Sequence, residues 1–271
     1  MYEAYWNLKV KPFPYRVEAE DLYLSKSLRA ASLRLQYCID NNAGAGLVVG
    51  NSGCGKSSLL RLLSHQNASL QPFVHLPYPG LSAAELIRSI AFELSGASHS
   101  VQQPSDEVLV RLHEYLRQHA DEDRHPVIAF DEAHLLTNDV MNEVILPLLN
   151  FAEVDFALSF TVLLVGQPSL GPHVARNAQL RERIAVSATV TEFTRDETAD
   201  YVSQQLQHAG RLEPVFDEGA LSALYELSGG NPRRINRLCD MALLVGCSDQ
   251  ASSIGRNDIL SLSSELLPAA A

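Results

Sequence analysis

The sequence predicts an α/β fold, a parallel sheet layered between helices, followed by a smaller all-helical domain. Three observations carry that expectation. Leu47-Val48-Val49 runs directly into Gly50-x-x-x-x-Gly55-Lys56-Ser57, and a helix-like stretch follows at once. A second apolar run, Val127-Ile128-Ala129-Phe130, ends in two carboxylates, Asp131 and Glu132. Beyond Thr194 the strand-like runs stop and only helix-like segments remain. Alternating strands and helices close into a parallel sheet because each crossover returns over a face of the sheet. The expected division is a core over residues 1–193, including an N-terminal lead-in, and a helical domain over residues 194–271.

Composition limits the function classes. The chain has 271 residues, 46% hydrophobic and 20% charged, the balance of a globular protein. No apolar run is long enough to span a bilayer, and Met1-Tyr2-Glu3-Ala4-Tyr5-Trp6 lacks the basic and apolar regions of a signal peptide. A cytoplasmic location is therefore expected. Cys38, Cys54, Cys239 and Cys247 are scattered without metal-ligand spacing, so reduced thiols are expected. A formal net charge of −11 excludes an indiscriminate polyanion binder but leaves room for a local basic patch.

In chain order, the first 25 residues mix Tyr5, Trp6, Phe13 and Tyr23 with Pro12 and Pro14. Prolines rule out a long helix there. The aromatics either pack on the main body or cover a bound adenine. Residues 27–41 read as a helix. Residues 72–76 read as a strand, and Ser82 caps a helix through Leu94. A second amphipathic helix covers residues 106–118. Residues 138–151 form a helix interrupted near Pro147. The run Phe160-Thr161-Val162-Leu163-Leu164-Val165 is a central strand, and residues 185–190 are the last one. Helices over 196–209, 217–228, 232–245 and 257–266 complete the chain, with Pro232 placed to open the third of these.

The glycine-bearing segment is a full Walker A pattern in the strand–loop–helix context that the motif requires. Its alternative is a glycine-rich turn that matches by chance. Gly50, Asn51, Ser52, Gly53, Cys54, Gly55, Lys56, Ser57 and Ser58 together form a loop whose backbone N–H groups can cradle phosphates at a helix N-terminus. Lys56 reaches the β- and γ-phosphates and Ser57 ligates Mg²⁺, so ATP and Mg²⁺ are the expected ligands. Oxidation of Cys54, inside the loop, would then block nucleotide.

Asp131 stands at the carboxyl end of a buried strand, where open α/β sheets bind ligands. It is placed to hold the Mg²⁺ shell, and Glu132 to polarise the attacking water. A plain helix cap is the competing reading. Ala133 and His134 complete a D-E-A-H string, also found in helicases, but no second motor domain follows; His134 reads as local structure. Gln167, at the tip of a central strand, can sense the γ-phosphate or orient the water, the alternative being a solvated turn residue. Arg183, and less strongly Arg181, could reach a neighbouring protomer's site, the alternative being surface pairing with Glu182. Arg233, at the start of a helix, could reach the nucleotide or simply belong to a basic face.

These parts resemble the AAA+ ATPases, whose sheet order is 5-1-4-3-2 and whose helical lid closes over the nucleotide. More narrowly, the chain is similar to the ExeA/GspA group, including MshM-type pilus proteins. The matching residues are Tyr5-Trp6-x-Leu8, Lys11-Pro12-Phe13, Leu22-Tyr23-Leu24-Ser25, Leu163-Leu164-Val165-Gly166-Gln167-Pro168, Leu180-x-x-Arg183-Ile184 and Gly229-Gly230-Asn231-Pro232-Arg233-Arg234-Ile235-Asn236. The resemblance implies that Gln167 is sensor 1, Arg183 the arginine finger and Arg233 sensor 2. It implies a homo-oligomer, ring or filament, with shared sites, acting on a protein partner in secretion or pilus biogenesis. The same branch is similar to TniB- and TnsC-type transposition ATPases, which implies double-stranded DNA and transposition proteins as alternative partners. A nucleotide-switched scaffold with little turnover is a third use. Full ExeA-like proteins continue into a membrane span and a peptidoglycan-binding part, whereas this chain stops at Pro268-Ala269-Ala270-Ala271, as a piece of a longer protein or a free-standing ATPase. Relatives often place Asn before the proline after the second strand, where this chain has Tyr78.

Overall fold

Five short strands form one parallel sheet in the computed structural model, which describes residues 1–14, 21–66, 70–77, 80–96 and 105–266. Tyr78 and the chain end at Pro268 to Ala271 lie outside the described residues. The sheet order is β2 (Phe73–Leu76), β3 (Val127–Phe130), β4 (Thr161–Gly166), β1 (Ala45–Gly50), β5 (Ile184–Val190). This is the expected 5-1-4-3-2 arrangement. Strands β3 and β4 are buried at every position, as strands covered on both faces must be. Register pairs Val48 with Val165 on one side and Ala188 on the other, so β1 is central. Gly50 ends β1 where the backbone of β5 comes close: a Cβ there would lie 2.4 Å from Val190 O.

By contacts the chain divides into an α/β unit, residues 26–52 and 56–190, and a helical unit, residues 1–25, 53–55 and 191–271. In the α/β unit, α1 (Lys26–Asp40) precedes β1, α2 (Lys56–Gln66) joins β1 to β2, and α3 (Ala83–Ser95) and α4 (Ser105–Asp121) lie between β2 and β3. Ser82 and Glu85 form a capping box that starts α3, and Gly96, in the left-handed region at φ 68°, ends it. The expected interruption near Pro147 takes a specific form. Helix α5 (Asn138–Val140) passes through a π-helical turn, Met141–Ile145, into α6 (Leu146–Val154). Pro147 has no N–H for the Glu143 carbonyl, and the wider turn shifts the register just before it, with Leu146 N–H donating to Met141 O. Two short helices, α7 (Leu170–Arg176) and α8 (Ala178–Arg183), follow β4. Neither was expected.

The helical unit contains α9 (Arg195–His208), α10 (Glu218–Ser228), α11 (Pro232–Ser248) and α12 (Arg256–Leu266). Thr194 and Glu197 form its own capping box on α9. Residues 1–25 group with this unit, not with the α/β core as expected, and the division falls at Thr191. Side chains explain the regrouping. Trp6 and Phe13 are each 2% exposed, and the Trp6 indole N–H donates to Leu243 O at 2.8 Å. Phe13 stacks edge-on against Phe216, and Tyr23 against Phe193 and Tyr201. Tyr2 OH donates to Asp240, which also pairs with Lys11. Core packing, not an adenine cover, is what the structure gives Trp6 and Phe13.

Candidate nucleotide site

Strand β1 delivers the phosphate loop and α2 begins at Lys56, so loop and helix N-terminus follow each other without a break. Gly53 and Gly55 take φ of 86° and 98°, values that a side chain would strain. Lys56 is 5% exposed, and its ammonium donates to Gly50 O at 2.8 Å and Asn51 O at 2.9 Å. A buried cation that donates to carbonyls at the mouth of a glycine loop fits an incoming polyanion. Cys54 is buried.

Strand β3 delivers the acidic end. Ser57 Oγ donates to Asp131 Oδ2 at 2.6 Å, joining residues 74 positions apart. His75 Nε2 lies 3.3 Å from the same oxygen, and the Glu132 N–H donates to Asp131 Oδ1 at 2.9 Å. Burial alone would raise the Asp131 carboxyl, but the hydrogen bonds from His75, Ser57 and the Glu132 amide, with the His75 charge, hold its pKa below the usual value. The carboxylate is thus kept ionised beside a hydroxyl, a donor pair suited to a hard cation such as Mg²⁺. His75 escaped the sequence reading; a polar residue in the apolar run Phe73-Val74-His75-Leu76 was its only signal.

Glu132 sits in the left-handed region at φ 52°, just before the tight turn Ala133–Leu135. Its carboxylate lies 3.3 Å from His134 Nδ1, the same atom that faces the Gln167 backbone N–H at 3.4 Å. Lys56, Ser57, Asp131, Glu132 and Gln167 therefore converge on the carboxyl ends of β1, β3 and β4.

Arg183 has partners of its own within the α/β unit. Arg183 donates to Gln179 O, Asn150 Oδ1 and, at 2.7 Å, Glu153 Oε2. It lines a cavity of about 290 Å³ with Asn42, Gly44 and Glu182. Its partners in the chain are thus on α6 and α8, not Glu182. Arg181 is exposed. Arg233 is an exposed residue in the first turn of α11. Within the helical unit, which includes the loop tip, a Cβ on Gly53 would lie 2.7 Å from Asn231 Oδ1 and 3.0 Å from Arg233 Cβ.

Residues 39–172 match the family model described as an AAA domain. The chain is 29% identical over 265 residues to General secretion pathway protein A of Aeromonas hydrophila, covering 96% of this chain and 47% of that protein. It thus spans about half the length of this curated relative. Among solved structures, Cdc6p from Pyrobaculum aerophilum superposes with a TM-score of 0.74 at 18% identity, over 96% of this chain and 70% of that one. The Aeropyrum pernix ORC2 protein, solved as ADPNP–ADP complexes, gives 0.67 at 15% identity, over 94% and 71%. Both likenesses speak to the fold. The five-stranded order, the phosphate loop and the acidic strand end thus accompany a match to an AAA domain and a similarity to General secretion pathway protein A, in a chain with the α/β fold of these solved structures.

Proposed function

We propose that the chain binds MgATP, hydrolyses it, and uses the cycle to assemble or remodel a partner complex in secretion or pilus biogenesis. The observation that carries the nucleotide chemistry is the Ser57–Asp131 hydrogen bond beside the carbonyl-held Lys56. Lys56 and the amides of residues 50–58 would hold the phosphates. Ser57 and Asp131 would hold Mg²⁺, which when bound neutralises charge on the phosphate oxygens. Glu132 would orient the water and take its proton as the oxygen bonds the γ-phosphorus and the bond to ADP breaks. Gln167 and Arg233 would report the γ-phosphate. A neighbour's Arg183 would stabilise its developing charge, which requires that arginine to leave Glu153. The similarity to General secretion pathway protein A supports the choice of process. We place the activity in the cytoplasm, where ATP is supplied; no described helix is long and apolar enough to cross a membrane.

Glu132→Gln tests this reading. ATP affinity should hold while turnover falls by about 10²-fold or more, the usual worth of a positioned base. Unchanged turnover would reject the role.

A second reading rests on Arg233, Arg234 and Arg237, all exposed on α11. They would contact the backbone of double-stranded DNA, as in a transposition regulator. Anisotropy of a labelled duplex with Glu132→Gln protein should then show ATP-dependent binding that weakens steeply with salt. No binding where the protein assembles leaves the secretion or pilus reading standing.

A further inference from the structure

Local structure does not account for how His134 is placed. Its side chain is 11% exposed and its backbone lies in the turn Ala133–Leu135. The turn packs against the end of β4, where Gly166 leaves room for it. A Cβ on Gly166 would lie 3.0 Å from His134 N and 3.3 Å from His134 Nδ1. One ring atom, Nδ1, meets two groups: Glu132 Oε2 at 3.3 Å and the Gln167 N–H at 3.4 Å. Among the described residues, His134 is the side-chain ion partner of Glu132.

These two contacts cannot both be hydrogen bonds at once. An Nδ1 that carries a proton donates to Glu132 and leaves the Gln167 N–H without an acceptor. An Nδ1 that carries a lone pair accepts from the Gln167 N–H and has no proton to donate to the Glu132 carboxylate. The orientation of Glu132 is therefore tied to the position of the β4 tip through a single atom. We infer that His134 is a positioning residue, linking the main chain at Gln167 to the carboxylate of Glu132, so that movement of the strand tip re-aims the group that orients water. This rests on the reading of Glu132 given above.

Turnover and ATP affinity of His134→Phe and His134→Asn, each alone and combined with Glu132→Gln, form the test. Phenylalanine keeps the ring's bulk and removes both polar contacts; asparagine can still donate or accept. His134→Phe should lower kcat roughly ten-fold with KM little changed, a part of the 10²–10⁴ that a positioned base supplies. His134→Asn should recover part of the loss. In the Glu132→Gln background, His134→Phe should have no further effect, because the group it acts through is gone. Equal losses in both backgrounds, or a loss in KM alone, overturn the link while leaving the role of Glu132 intact. Wild-type turnover in Glu132→Gln overturns both. If His134→Phe does not fold, His134→Asn alone decides, by whether its loss of kcat disappears in the Glu132→Gln background.

Discussion

The two units solve opposite packing problems. The α/β unit surrounds Val48, Ile128, Phe130 and Leu164 with apolar side chains, then brings buried polar groups together at one end of its sheet. Lys56 and Asp131 are 5% and 4% exposed and have hydrogen-bond partners in the loop, on α2 and on β2. The helical unit buries Trp6, Phe193, Tyr201 and Phe216 around residues drawn from both ends of the sequence. Its buried polar contacts, such as Trp6 with Leu243 and Tyr201 with Asn236, close its own core. Burial of polar groups costs stability unless they are paired, and in both units these groups are paired. The difference is that the α/β unit gathers charged groups at one sheet end, the cluster proposed above as the ligand site, whereas the helical unit uses its neutral donors on its own core.

The sharpest way to break that comparison is Trp6→Ala. Removing this side chain should destabilise the helical unit by about 3–5 kcal/mol. Hydrogen exchange should accelerate in α9 to α11 while β1, β3 and β4 keep their protection. Equal acceleration in both units would mean that they unfold as one. Next in size is the acid response of the α/β unit. Burial pushes the His125 imidazole down from 6.5 to about 4, with Asp40 opposing it weakly. The unfolded chain binds this proton first, so stability is full above pH 6.5 and falls as the pH approaches 4. The gap corresponds to at most about 3 kcal/mol. Denaturant midpoints between those pH values should flatten in His125→Asn; an unchanged slope would remove His125 as the cause.

Smaller effects compare like with like. Ser82→Ala and Thr194→Ala each break one capping box, one per unit, and each should cost about 1 kcal/mol locally in its own unit by hydrogen exchange. Smallest of all, Glu226→Gln breaks the exposed pairs with Arg195 and Arg256 and should leave the thermal midpoint unchanged.

Much of the α/β unit was legible. The chemistry of Walker A lies in consecutive residues, so Gly50 to Ser58 could be read from spacing alone. Four apolar residues before Asp131 located the acidic strand end. The sheet order came only through family resemblance, because no local pattern says which strands pair. Helix α7 was hidden by Gly171 and Pro172, which look like a turn. His75 was missed because its partner Asp131 lies 56 residues away. The linking geometry of His134 depends on Gln167, 33 residues on, and periodicity carries no such distance. The aromatics near the N-terminus announced burial but not which core would receive them.

That last feature bears on how the chain is made. Trp6 and Phe13 are translated some two hundred residues before the groups that enclose them, such as Leu243 and Phe216. At roughly 5–20 residues per second, the wait lasts on the order of ten to fifty seconds. The α/β unit lies wholly between the two pieces and has time to fold while the leading segment is still without its partners. For that interval Trp6 and Phe13 offer a sticky apolar handle to any holdase near the exit tunnel. Nascent chains stalled before residue 216 should therefore be captured through this segment, and Trp6→Ser should weaken the capture.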